Sequence, residues 1–234
     1  MMSSADSRFA FPGWQGPFVH YGGMASEAQA DVEYVVVDVE TTGFDPSVGD
    51  RVLEISAIRT DGKGNVLASF SSLLNPGVPD TGAQHIHGIS TDMLAGAPTF
   101  AEVFGQIAQV MDNAVFVAHH AKFDESFLAS EAALASIELK RMPGLCTYWL
   151  AKETLSEVPN HKLGTLAQYF NVDTGTAHCA YDDALVVVKM LPKLLNLVVG
   201  IEHYVPLQPQ NAALSTIPPK VRPKEMSSQL ELDC

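Results

Sequence analysis

The order of elements in this 234-residue sequence predicts an α/β fold, a mixed five-stranded sheet flanked by helices over residues 32–200. Three observations carry that prediction. Residues 34–37 and 114–118 are short, continuous apolar runs rich in β-branched side chains, the pattern of strands buried on both faces. Residues 52–60 and 66–74, parted by Asp61-Gly62-Lys63-Gly64-Asn65, read as two strands joined by a turn. Apolar residues then recur at helical spacing after residue 98 and again after residue 181. With 47% apolar residues the chain can bury an ordinary core and is not wholly disordered.

Residues 1–31 place Phe9, Phe11, Trp14, Phe18 and Tyr21 among prolines and glycines without strand or helix periodicity, and are expected to form a flexible leader. The first strand ends at Asp38. In the second, Leu53, Ile55 and Ala57 alternate with Glu54 and Ser56, so one side is expected to be polar; with residues 66–74 these strands make an antiparallel meander. Thr99 and Glu102 have capping-box spacing, and Val103, Phe104, Ile107, Ala108 and Met111 share one helical face. After the 114–118 strand comes a helix carrying Phe123, Phe127 and Leu134, then a short strand near Leu145 and helices at 147–153 and 163–170. A long helix from Tyr181, expected to kink or end at Pro192, closes the order β-β-β-α-β-α-β-α-α-α. Residues 201–234, with Pro206, Pro209, Pro218, Pro219 and Pro223, are expected to be a Pro-rich disordered tail.

Composition excludes several classes. The 14 basic and 27 acidic side chains leave a net charge of −13, which argues against a broad basic surface for nucleic acid. No uncharged apolar stretch reaches the roughly 18 residues a membrane helix needs, and no export signal is recognised at the N-terminus. Cys146, Cys179 and Cys234 share no disulfide or metal spacing, as suits a reducing compartment. A cytoplasmic protein without a membrane partner is expected.

Three clusters carry the chemistry, each at an expected strand end or helix start. In Asp38-Val39-Glu40-Thr41-Thr42-Gly43 the two acids are two residues apart in a strand, so both carboxylates face one side. Two like charges held together are costly unless a cation neutralises them. In His119-His120-Ala121-Lys122-Phe123-Asp124 the acid falls in the opening turn of a helix. In His178-Cys179-Ala180-Tyr181-Asp182-Asp183 a loop imidazole stands beside a helical carboxylate. Singly, each reads better as solvated acids or as charges answering a helix dipole. Together they fall where α/β sheets collect functional groups, and four carboxylates without a thiolate favour a hard ion, Mg²⁺ or Mn²⁺.

These motifs resemble those of the DEDDh-type 3′–5′ exonucleases, the group of the proofreading epsilon subunit of bacterial DNA polymerase III and its stand-alone relatives. Ile86-His87-Gly88-Ile89 and Lys162-Leu163-Gly164-Thr165-Leu166-Ala167 resemble two further family segments. The resemblance spans residues 33–198 and implies a ribonuclease-H-like fold and two-metal hydrolysis of a 3′-terminal phosphodiester. It implies that Asp38, Glu40, Asp124 and Asp183 hold two Mg²⁺ (or Mn²⁺) ions, with His178 as the general base. Thr41, Thr42 and His87 would contact the substrate, a 3′ end of DNA, with RNA as the runner-up. His120 stands where the family usually has Asn, and Asp182 competes with Asp183 for the last ligand position. Gln229-Leu230-Glu231-Leu232-Asp233 resembles a sliding-clamp-binding pentapeptide without its final aromatic, which, with a replication polymerase, makes a candidate partner. Two competing readings are a zinc hydrolase built on His85, His87, His119 and His120, and a non-catalytic nucleic-acid-binding scaffold.

Overall fold

The computed structural model describes residues 10, 11, 13–21, 32–176 and 178–197. Six strands form one sheet in the order β1-β6-β5-β2-β3-β4: β1 (Val19–His20), β2 (Glu33–Thr41), β3 (Val52–Asp61), β4 (Val66–Leu73), β5 (Val115–Ala118) and β6 (Met142–Cys146). β2, β3 and β4 make the expected antiparallel meander. β5 runs parallel to β2, β6 to β5, and β1 to β6. The helices are α1 (Gln84–His87), α2 (Thr91–Leu94), α3 (Phe100–Met111), α4 (Ala121–Leu134), α5 (Thr147–Thr154), α6 (Leu163–Tyr169) and α7 (Ala180–Leu197). Parallel neighbours need a crossover, and α4 supplies the one between β5 and β6. The ribonuclease-H-like α/β architecture is therefore present, with six strands rather than five.

The alternation of side chains along β2 sorts the core into two layers. Val35, Val37 and Val39 pack with Ile55, Phe116 and the apolar sides of α3 and α4. Tyr34 and Val36 pack on the other face with Ile58, Val117 and residues of α5, α6 and α7. α7 lies over β2 and β3, and this changes the reading of β3. Glu54 and Ser56, expected on a polar side, are 2% and 0% exposed. α7 also continues through Pro192 instead of ending there. A proline has no N–H to give to the carbonyl four residues back, and the turn residue Gly64 lies against Val188 O and the Pro192 ring.

The sixth strand comes from the segment expected to be a flexible leader. Within residues 13–21, Phe18, Val19 and Tyr21 are buried and Val19 pairs with Met142. A two-residue strand anchored to residues more than a hundred positions away leaves no local periodicity to read. The Pro-rich tail and the 229–233 pentapeptide lie outside the described residues.

Candidate functional site

Asp38 and Glu40 share the parity of Tyr34 and Val36, so they face α7 at the carboxyl end of β2. Asp183 enters from the first turn of α7, and His178 precedes that helix in a left-handed backbone conformation (φ 59°). The His178 main-chain N–H donates to Asp183 Oδ2 at 3.1 Å. Ligand atoms of Glu40, His178 and Asp183 all lie within 4.8 Å of one another, a spacing at which one cation can be shared. The neighbouring Asp182 turns away: its Oδ2 accepts from Thr176 N at 2.8 Å and holds the preceding loop. Asp183 is thus the acid that the fold brings to the cluster.

Asp124 arrives from the opposite layer. The first turn of α4, which follows β5 directly, carries it to the end of β2; there the Asp124 carboxylate accepts from its own N–H and from Val39 N–H. Burial nevertheless pushes its carboxyl up to about 8. Burial also holds Asp38 well above the usual carboxylate range, and the charges of Asp124, Asp183, Glu40 and Glu54 raise it further. Acids crowded at one enclosed point do not ionise together without a counter-charge, and oxygen donors select a hard cation. The residues present therefore fit divalent metal.

Glu54 is the member that sequence reasoning missed. It pairs with Glu40 across β2 and β3, and its Oε2 accepts from Ala180 N at 3.1 Å, the first residue of α7. A buried carboxylate behind the site thus fixes the helix that carries Asp183. The available signal was a carboxylate sharing the parity of Ile58, a residue of the buried layer.

The rim residues are held by local bonds. The Thr42 hydroxyl donates to Asp50 Oδ1 (3.2 Å) and accepts from Arg51 N (3.0 Å). Thr41 Oγ1 donates to Gly43 O at 2.6 Å. Gly82 (φ 69°) presses on this turn so closely that a Cβ there would lie 1.8 Å from Thr42 O. His87 is buried; its Nδ1 accepts from Ile89 N and its Nε2–H donates to Thr81 O, each at 3.0 Å. Its ring holds the loop that carries Gly82 against Thr42. His119 is likewise committed, to the Thr147 hydroxyl (3.0 Å) and His161 O (2.9 Å), and burial lowers it to about 3, a neutral imidazole at working pH. With His87 and His119 so bonded, a four-histidine zinc site does not form. His120 takes the helix-entry position with φ 135° and stacks on Tyr148 at 4.4 Å.

Comparison with known proteins shows the family. The RNase_T family model, described as Exonuclease, matches residues 35–191. The PolC-type DNA polymerase III of Caldanaerobacter subterraneus subsp. tengcongensis is 34% identical over 174 residues, 72% of this chain but 12% of that protein. The DNA polymerase III subunit epsilon of Aquifex aeolicus is 30% identical over 167 residues, 70% of this chain and 81% of that subunit. Among solved structures, the nuclease domain of 3′hExo, a DEDDh family member bound to rAMP, has a TM-score of 0.59 at 16% identity, covering 78% of this chain and 98% of that one. That last likeness is one of fold. Among the described residues no helix is long and apolar enough to cross a membrane.

Proposed function

The chain belongs to the DEDDh-type 3′–5′ exonucleases, and we propose that residues 32–200 hydrolyse the 3′-terminal phosphodiester of DNA, releasing 5′-mononucleotides in proofreading or repair. The observation that carries this reading is the convergence of Glu40, His178 and Asp183 within 4.8 Å beside Asp38 and the buried Asp124. Asp38, Glu40, Asp124 and Asp183 are the residues that would hold two Mg²⁺ or Mn²⁺ ions. Bound there, the ions would acidify a water and offset the charge developing on the leaving 3′-oxygen.

The remaining work falls to the chain. His178, exposed at the mouth of the cluster, takes the proton of the attacking water, the task for which imidazole is the usual side chain. The Asp183 carboxylate, bonded to the His178 main chain, keeps that residue at the site. The turn at Thr41 and Thr42, braced by Asp50 and by the His87 loop, receives the terminal nucleotide. DNA is the first choice because the relatives named above are DNA polymerase III proteins, and the same relatives support action beside a replication polymerase. RNA is the second reading, since the 3′hExo nuclease domain was solved with a ribonucleotide.

Matched DNA and RNA oligonucleotides labelled at the 3′ end, offered with Mg²⁺, Mn²⁺ or EDTA, separate the two. Release of labelled 5′-mononucleotide from DNA, dependent on metal and lost in Asp38→Ala, is the expected result. Faster release from RNA would move the assignment to the second reading. Release from neither by folded protein would favour a scaffold.

A further inference from the structure

We propose that residues 13–21 form a strap that positions Asp124, acting through Glu125. The inference rests on the reading of Asp124 as a metal ligand, and it concerns a segment outside the family match, which begins at residue 35.

Glu125 follows Asp124 in the first turns of α4 and is completely buried (0% exposed). It points away from the cluster into the strap. Its Oε1 accepts from Phe18 N at 2.9 Å and Val19 N at 2.6 Å, and its Oε2 from the Tyr21 hydroxyl at 3.2 Å. Charge-assisted bonds of this kind are among the stronger ones a buried carboxylate makes. The strap closes tightly on it: a Cβ on Gly16 would lie 2.0 Å from Glu125 Oε2, so any side chain at position 16 must push the Glu125 carboxylate aside.

The strap is itself a built structure. Gly16 N donates to Val19 O (2.8 Å) and Tyr21 N to Trp14 O (2.9 Å). It is moored to the sheet, where Met142 N donates to Phe18 O at 3.0 Å and Phe18 meets Phe116 edge-on at 5.8 Å. A second grip takes the same helix on the other side of Asp124, the Lys122 ammonium sitting 4.4 Å from the centre of the Trp14 ring. Residues 122 and 125 are thus both held from outside, and Asp124 lies between them. A shift of this turn would move the Asp124 carboxylate off Val39 N–H and away from Asp38. Glu125 and the strap are therefore positioning elements, and residues that orient metal ligands typically govern metal affinity.

The test uses the full chain stripped with EDTA and measures Mn²⁺ binding by calorimetry, the metal dependence of oligonucleotide hydrolysis, and the melting temperature. Glu125→Gln is the main variant, with Tyr21→Phe and Gly16→Ala as milder ones should it fail to fold. Glu131→Gln serves as the comparison. Glu131 is buried further along α4, bonded to Arg51 and Val52 N, and carries equivalent structural weight away from Asp124. The expected result is Mn²⁺ affinity weakened roughly ten- to a hundredfold in Glu125→Gln, less in the milder variants. Glu131→Gln should lower the melting temperature with Mn²⁺ affinity unchanged. The proposal is overturned if Glu125→Gln and its substitutes lose stability yet bind Mn²⁺ as the parent does. If Asp124→Asn also leaves Mn²⁺ binding unchanged, the metal-site reading fails first.

Discussion

Asp38 and Asp124 combine a low-dielectric position with like-charged neighbours, and their protonation is where the site meets solution conditions. A carboxyl raised from its ordinary value near 4 to about 8, as at Asp124, binds more protons in the folded than in the unfolded protein between those limits. Stability of the metal-free protein therefore falls as pH rises through that window. Scanning calorimetry of EDTA-treated protein from about pH 5 to about pH 8 should show the melting temperature dropping by several degrees, each kcal/mol being worth about 2–4 °C at this size. Added Mn²⁺ should flatten the slope, and Asp38→Asn should raise the metal-free melting temperature at the alkaline end. A flat metal-free profile would mean the acids are not confined together. His178→Ala belongs to the same scale: it should cut turnover by about 10²–10⁴-fold while the protein still binds Mn²⁺ and melts cooperatively. The acids of the cluster were legible because two periodicities expose them, period two at Asp38 and Glu40 and the first helical turn at Asp124 and Asp183. Glu54 and Glu125 were not, since each takes its meaning from partners 126 and 107 residues away in the chain.

At the scale of elements, the site is an intersection of β2, α4 and α7, and each needs a device to stop at the right place. For α7 the device is Glu54, which satisfies an N–H that a helix start leaves without an intrahelical partner. Glu54→Ala leaves Ala180 N–H unmet and opens space under the helix. We expect a loss of about 1–3 kcal/mol in denaturant unfolding, together with weaker Mn²⁺ binding through the displaced Asp183. Unchanged metal binding would show that α7 is placed by its apolar packing alone. Elements whose signals are local were read correctly. The Thr99 and Glu102 capping box closes as spelled, with Glu102 Oε2 accepting from Thr99 N at 2.7 Å. Signals that depend on a covering partner were misread: β3 alternates as a half-exposed strand would, yet α7 seals its second face. β1 has no pattern because two residues cannot show one.

For the whole molecule, charge is the governing property. A chain of net charge −13 that acts on a polyanion must confine its contacts to the end of the strand, where bound metal offsets the local acids. Its hydrolysis rate at subsaturating DNA should therefore fall only gently with salt, with a log–log slope no steeper than about −2, the mark of two or three phosphate contacts on a single strand. A much steeper slope would reveal an extended track that the acidic surface gives no reason to expect. The family was the most legible feature, because the motifs that carry it lie within residues 33–198 and the RNase_T match covers 35–191. The strap was the least legible, being tied to the domain by tertiary bonds alone. The most direct test of the central claim is the release of 5′-mononucleotide from a 3′-labelled single strand as Mg²⁺ or Mn²⁺ is titrated into EDTA-stripped protein. The account predicts release that begins only with metal, proceeds from the 3′ end, and is nearly abolished in Asp124→Asn. Equal release in EDTA, or an Asp124→Asn variant as active as the parent, would contradict it.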